Sequence, residues 1–263
     1  MLALIAGTGA LPKHLVDSAD APPLIAALGR FPPDTLTPDI TFRIEHLGTF
    51  LNDLRDRGVT EVCFSGALRR HPIEPAEIDA ATQPLVPRMA SALQQGDDAA
   101  LRTVLAFFEE AGFAVKAAHD IAPDLLPPAG PLGANAPSEA DEADAARAAE
   151  VLSSIGGADI GQGCVVYRRQ VLAIEGTFGT DWMLESLAQR PDEGTGGVLV
   201  KAPKPGQDRR IDLPLVGPTT VDMASRAGLS GIAIEAGGVM MLDPAGTAAA
   251  ADAAGLFVWV REA

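Results

Sequence analysis

Short apolar runs alternate with helix-spaced segments along the first half of this chain. Leu2, Ala3, Leu4, Ile5 and Ala6 form a continuous apolar run that stops at Gly7, which predicts a buried strand. Residues 11–18 read as a helix, residues 23–28 as a strand ended by Gly29, and residues 41–46 alternate as a third strand. Leu47, Phe50, Leu51 and Leu54 recur at three- and four-residue intervals, predicting an amphipathic helix over 47–57 that stops at Gly58. Residues 62–65 predict another buried strand. Residues 97–110 predict a helix with Asp97 or Asp98 near its N-cap and Gly112 beyond its end, and residues 113–117 a further strand. Strands alternating with helices predict a parallel α/β sheet.

Residues 124–133 interrupt this pattern with prolines and glycines, and the domain boundary is expected there. Residues 138–155 form an Ala/Glu-rich helix with Ser138 to Asp141 as its cap. Its carboxylates Glu139, Asp141, Glu142, Asp144 and Glu150 read as a solvated face. A hairpin is predicted over 165–167 and 171–175, then a helix over 181–189 with Thr180 or Asp181 as N-cap. A strand over 198–201, a helix over 219–227 and strands over 231–235, 239–242 and 256–260 complete the pattern. No internal repeat is visible.

Composition narrows the classes of partner. The chain has 263 residues, 47% of them hydrophobic, enough for one or two domains with sizeable cores. Its formal charge of -15 repels nucleic acid and anionic lipid, so any membrane contact must be local and apolar. Cys63 and Cys164 sit in apolar runs and read as buried reduced thiols. The N-terminus lacks a basic segment, and no apolar run reaches roughly 18 residues. A cytoplasmic location is expected.

The densest chemistry lies between Lys201 and Pro214. This run holds four cations (Lys201, Lys204, Arg209, Arg210), the carboxylates of Asp208 and Asp212, the amide of Gln207 and three prolines. Pro203, Pro205 and Gly206 rule out a helix. Hard cations such as Mg²⁺ take one or two carboxylates plus water and phosphate oxygens, and the lysines can neutralise phosphate. A rigid loop of this kind suits hydrolysis of a phosphoanhydride.

Four other places could serve the same ligand. Gly7-Thr8-Gly9-Ala10 lies between a strand and a helix, where glycines let the backbone approach phosphate, although Pro12 breaks the dinucleotide fingerprint. Ser65-Gly66, followed by Arg69 and Arg70, lies at a strand's carboxyl end, where ligands bind in open α/β sheets. Glu175 ends a buried strand and calls for a metal or cation as partner, with Thr177, Thr180 and Asp181 following it. Gly217-Pro218-Thr219-Thr220 opens a helix one turn ahead of Asp222. The four histidines are scattered singly, and no GxxxxGK[ST], GxSxG or HExxH motif occurs. On the residues alone two other classes stay open. One is a nucleotide-sugar or lipid-binding protein without catalysis. The other is an NADP-linked oxidoreductase using Gly7, Gly9 and Arg30.

Taken in order, Gly7 to Pro12, Ser65 to Ala67, Gly96-Asp97-Asp98, Asp159 to Gln162, Glu175 to Asp181 and the run KxxKPxQDxRxDxPxxGxxT from Lys201 to Thr220 resemble the LpxI family over nearly the whole chain. One departure is Phe178, where many members carry an acid. The resemblance implies a Mg²⁺-dependent hydrolase of lipid A biosynthesis that converts UDP-2,3-diacylglucosamine to UMP and 2,3-diacylglucosamine 1-phosphate (lipid X). Water would attack the glucosamine-side phosphorus. It implies two α/β domains with the active site between them: residues 1–130, with a Rossmann-like parallel sheet, and residues 131–263, with a mixed sheet and the catalytic loop. It implies an enzyme peripheral on the cytoplasmic face of the inner membrane, with a homodimer as a candidate assembly. Under this reading Lys201, Lys204, Gln207, Asp208 and Asp212 are catalytic, and Asp208, Asp212, Asp181 and Asp222 are the metal candidates. Gly7, Thr8, Gly9, Ala10, Ser65, Gly66, Thr177, Thr180, Arg210, Thr219 and Thr220 are expected to contact substrate.

Overall fold

In the computed structural model, which describes residues 1–68, 72–94, 97–190 and 194–262, the chain forms two units, Met1–Pro123 and Asp124–Ala263. The first contains β1 (Leu2–Ala6), α1 (Leu11–Ser18), β2 (Leu24–Leu28), β3 (Ile40–Phe42), α2 (Leu47–Asp56), β4 (Glu61–Ser65), α3 (Val86–Leu93), α4 (Asp97–Glu110), β5 (Ala114–Lys116) and α5 (Ala118–Ile121). The sheet order is β3-β2-β1-β4-β5, with every pairing parallel. Parallel neighbours need crossover connections; helices supply those that lead to β2, β4 and β5, whereas residues 29–39 join β2 to β3 without one. Chain order reverses between β1 and β4, so a topological switch point lies at their carboxyl ends.

Phenylalanines fill the core of this unit. Phe42 stacks on Phe50 with ring centroids 3.8 Å apart, and Phe108 meets Phe50 and Phe64 edgewise. The strand expected over 41–46 stops at Phe42, and Ile44–His46 turns as a 3₁₀ helix into α2. Glu45 is the reason. It is buried and accepts hydrogen bonds from Arg43 Nε (3.3 Å) and the Glu74 amide (3.1 Å), partners an extended strand would not offer it. α3, a helix absent from the hydrophobic pattern, packs against α4 with an Arg88–Glu110 ion pair between them.

The second unit contains β6 (Gly130–Leu132), α6 (Glu139–Gly156), β7 (Gly163–Tyr167), β8 (Gln170–Ile174), α7 (Gly179–Leu187), β9 (Val198–Lys201), β10 (Leu215–Val216), α8 (Pro218–Arg226), β11 (Gly231–Glu235), β12 (Met240–Met241), α9 (Pro244–Ala254) and β13 (Phe257–Arg261). Six strands form a mixed sheet in the order β6-β13-β11-β9-β7-β8, while β10 and β12 make a small parallel pair. β9, β11 and β13 are mutually parallel, and β6 and the β7–β8 hairpin flank them antiparallel. Strand alternation sorts the two faces. Val198 and Val200 join Ala145, Ala148 and Leu152 of α6 in one core, whereas Leu199 joins Met183, Leu184, Val221 and Ala251 of the other helices.

Several expectations change here. The proline- and glycine-rich stretch holds a strand, since Gly130 and Leu132 pair with Val260 and Val258. α9 has an Ala-rich sequence with no polar–apolar contrast, but Asp243 caps its Gly246 amide, Pro244 sits in its first turn and Gly255 ends it. α6 begins as expected, with Ser138 accepting from the Asp141 amide and Asp141 accepting from the Ser138 amide. Its acids are not all solvated. Asp144 is buried and accepts from the Arg168 and Arg169 amides, at 2.8 and 2.5 Å. Those arginines form the two-residue β7–β8 turn, both with positive φ.

Candidate functional site

Lys201 ends β9 on the face shared with Leu199, toward α7. It is buried, and its Nζ donates to Thr180 Oγ1 at 2.6 Å and lies 3.5 Å from Glu175 Oε2. Glu175 Oε2 is itself buried and accepts no hydrogen bond. Three strands assemble this trio. Gly163 of β7 pairs directly with Lys201, and Glu175 follows β8 with its amide donating to the Gly163 carbonyl. The Glu175 carboxylate occupies the space above Gly163, where an added Cβ would come within 2.4 Å of Oε2. The cation that Glu175 requires is therefore Lys201. Thr180 does not cap α7, as had been expected. The helix starts earlier, after Phe178, with no side-chain cap, which leaves the Thr180 hydroxyl to Lys201.

The polar loop leaves β9 and folds on a tight turn. The Gln207 amide donates to the Lys204 carbonyl at 3.2 Å, with Pro205 and Gly206 at the turn's centre and Gly206 at φ +76°. Pro followed by a left-handed residue is the signature of a type II turn, and Gly is the residue that adopts it without strain. Gln207 then organises the loop's polar groups. Its Oε1 accepts from Gln162 Nε2 (2.7 Å) and the Lys204 amide (2.9 Å). Its Nε2 donates to the Asp212 carbonyl and to Asp212 Oδ2, the latter at 2.6 Å. Asp208 is held by Arg210, through Nε at 2.9 Å and Nη2 at 2.6 Å. Lys204 Nζ pairs with Asp159, and Arg209 with Glu235. Gln162 and Asp159, which the residue chemistry did not single out as site residues, come into the site by contact with Gln207 and Lys204. The signal available in the sequence was the Asp159 to Gln162 segment, one of the stretches that carry the family resemblance.

At the switch point of the first unit, the turns after β1 and β4 are tied together. The Thr8 and Ala67 amides donate to each other's carbonyls at 3.1 and 2.9 Å, and the Gly7 amide donates to the Ser65 carbonyl at 2.8 Å. Ser65 is buried, and its hydroxyl has no hydrogen-bond partner. Gly66, Gly9 and Ala10 are exposed. The Gly9 amide donates to Asp34 Oδ2 at 2.7 Å, so a carboxylate sits where a dinucleotide's pyrophosphate would approach. Arg69, Arg70, His71 and Gly96 lie outside the described residues.

The remaining expected residues divide. Thr220 Oγ1 accepts from the Gly217 amide and so starts its own helix, α8. Thr177, Asp181, Thr219 and Asp222 are exposed. Among the described residues no group of three or more His, Cys, Asp or Glu side chains gathers as a metal cluster. Burial pushes the Cys63 thiol up to about 12, with Asp120 adding to it, and the Cys164 thiol up to about 11. Both stay protonated near neutrality, so neither is a nucleophile.

These two units define a two-domain α/β protein with a Rossmann-like parallel sheet, then a mixed sheet bearing a buried lysine and a proline-rich polar loop. The chain belongs to the LpxI family: the LpxI N-terminal domain matches residues 1–125 and the LpxI C-terminal domain residues 128–259. It is similar to the UDP-2,3-diacylglucosamine pyrophosphatase LpxI of Caulobacter vibrioides, at 40% identity over 268 residues, 98% of this chain and 96% of that protein. The chain is accordingly an enzyme.

Proposed function

We propose that this enzyme hydrolyses the diphosphate of UDP-2,3-diacylglucosamine with Mg²⁺, giving UMP and lipid X. The observation that carries the reading is Lys201, a buried ammonium at the carboxyl end of β9 beside the Gln207-anchored Asp212 loop. The name of the Caulobacter relative supplies the substrate. Phosphoryl transfer depends on positioning and charge stabilisation more than on a strong protein nucleophile. Lys201 and Lys204 hold diphosphate oxygens, with Lys204 exchanging Asp159 for phosphate. Gln207 fixes the Asp212 carboxylate, which orients the attacking water toward the glucosamine-side phosphorus. Arg210, Thr177, Thr180, Thr219 and Thr220 contribute further polar contacts. In the first unit, Gly7 to Ala10 and Ser65-Gly66 contact the uridine or the sugar, not a phosphate, because the Asp34 carboxylate holds the Gly9 amide.

The donors available fit Mg²⁺. Asp208 and Asp212 flank one turn and supply two carboxylates. An ion that takes one or two carboxylates needs no larger cluster. Asp208 and Asp212 would hold it, with Asp181 and Asp222 as the further candidates. When bound, Mg²⁺ polarises phosphoryl oxygens and lowers the pKa of water. The Asp34 carboxylate on the Gly9 amide argues against a dinucleotide and hence against an NADP-linked reaction. Among the described residues no helix is long and apolar enough to cross a membrane. Peripheral attachment at the cytoplasmic face of the inner membrane is part of the proposal.

The test is incubation with UDP-2,3-diacylglucosamine in ¹⁸O-water, with Mg²⁺ or with EDTA. UMP and ¹⁸O-labelled lipid X are expected with Mg²⁺ only. Absence of UMP release, or label in UMP, would sink the proposal as written.

A further inference from the structure

Gln162 joins the two halves of the polar site. It is half-buried and immediately precedes β7. The glycines on either side of it both pack on Glu175. An added Cβ would come within 1.9 Å of the Glu175 carbonyl oxygen at Gly161 and within 2.4 Å of Oε2 at Gly163. The Gln162 carbonyl accepts from the Ala202 amide at 3.1 Å, which carries the β7–β9 pairing one residue past Gly163 and Lys201. The backbone of Gln162 is therefore fixed to the Lys201–Glu175 centre. Its side chain reaches the polar loop, where Nε2 donates to Gln207 Oε1 at 2.7 Å and, at the long end of hydrogen bonding, to the Asp212 carbonyl at 3.3 Å.

We infer that Gln162 is a positioning residue, one that sets the place of the Asp212 carboxylate relative to Lys201 by acting through the Gln207 carboxamide. The inference rests on the hydrolase reading, in which Asp212 orients the attacking water. A carboxamide has two N–H donors and an oxygen with two lone pairs. In Gln207 all four are used. The oxygen takes Gln162 Nε2 and the Lys204 amide, and the nitrogen serves the Asp212 carbonyl and Asp212 Oδ2. A fully matched carboxamide is held in one orientation. Removing the Gln162 donor leaves Gln207 tied only within its own loop, with no side-chain link to the β7 end of the site. What Gln162 supplies is a hydrogen, not volume. A glutamate of the same length would set a negative charge against two acceptor oxygens. Loss of alignment at the reacting centre costs rate more than binding.

The test compares Gln162→Met, an unbranched apolar chain of similar length, with Gln162→Glu, assayed with UDP-2,3-diacylglucosamine and Mg²⁺. Gln162→Met is expected to lower kcat about tenfold or more with KM within about twofold, and Gln162→Glu to lower kcat further. A space-filling role predicts near-normal turnover in both. In a Gln207→Ala background, Gln162→Met is expected to change kcat by less than about twofold, because the path to Asp212 is already cut. Losses that multiply in the double variant would overturn the inference, as would wild-type kcat in Gln162→Glu. A second readout needs no turnover. In ¹H–¹⁵N spectra the Gln207 carboxamide resonance, identified by its loss in Gln207→Ala, is expected to shift in Gln162→Met while most backbone amides stay in place. An unmoved resonance overturns the inference. A shifted resonance with no UMP release from wild type upholds the Gln162–Gln207 coupling and overturns the hydrolase reading instead.

Discussion

The Gln207 carboxamide donates to the Asp212 carboxylate at 2.6 Å while its oxygen accepts from Gln162 at 2.7 Å. One neutral side chain thus ties an early loop of the second unit to the carboxylate proposed to orient water. Gln207→Ala is expected to leave Asp212 in place but unaligned, and to lower kcat by about 10²-fold with KM little changed. Asp212→Ala should abolish measurable UMP release. Wild-type kcat in Gln207→Ala, with intact circular dichroism, would show that this contact has no part in turnover.

Lys201 and Glu175 neutralise each other in a buried place, so each is a liability without the other. Lys201→Met should destabilise the fold by roughly 3–5 kcal/mol, because it strands the Glu175 charge. Adding Glu175→Gln should restore much of the thermal midpoint without restoring activity. A double variant no more stable than Lys201→Met would mean that the pair is not coupled.

Gly163 tests the same pair from the backbone side. An alanine Cβ would fall 2.4 Å from Glu175 Oε2, so the carboxylate must swing away from Lys201. Gly163→Ala should cost about 1–3 kcal/mol of stability, read in urea unfolding, and should lower activity by a larger factor than a mutation at the exposed Gly157.

Much of this arrangement was legible as parts but not as contacts. The βα alternation of the first unit reads directly, because parallel strands are buried on both faces and leave continuous apolar runs such as Leu2 to Ala6. The Pro205-Gly206 turn reads directly too, since its chemistry is local. Lys201, Thr180 and Glu175 could each be singled out, yet their meeting depends on the β8-β7-β9 order, which no local pattern encodes. Asp144 was hidden for the opposite reason. It sits in a row of acids on α6, and only the hairpin that folds over it makes it buried. α9 lacks the polar–apolar contrast that marks an amphipathic helix, so only its end signals, Asp243-Pro244 and Gly255, could have revealed it.

Asp144 also holds a strained turn. Arg168 and Arg169 both have left-handed φ, of 49° and 63°, in a hairpin turn that favours Asn-Gly. Asp144→Ala should destabilise the protein by roughly 3 kcal/mol by orphaning two amides. Arg168→Asn/Arg169→Gly should stabilise it by about 1 kcal/mol or more. A denaturant midpoint that Asp144→Ala leaves unmoved would contradict this account.

Glu45 sets a pH dependence for the first unit. Burial alone would raise its pKa, but hydrogen bonds from the Glu74 amide, from its own backbone and from Arg43, with the Arg43 charge, outweigh it and lower the value from 4.5 to about 2. A carboxylate whose folded pKa is depressed binds its proton more readily when unfolded. Its stabilisation is therefore fully present above about pH 4.5 and is lost as pH falls from there toward 2. Glu45→Gln should be less stable than wild type at pH 6, and the gap between them should narrow at pH 3, measured as urea midpoints by circular dichroism. Other carboxylates titrate in the same range in both proteins, so the difference between the two curves isolates Glu45. A gap that stays constant from pH 6 to pH 3 would mean that Glu45 stabilises by shape, not by charge.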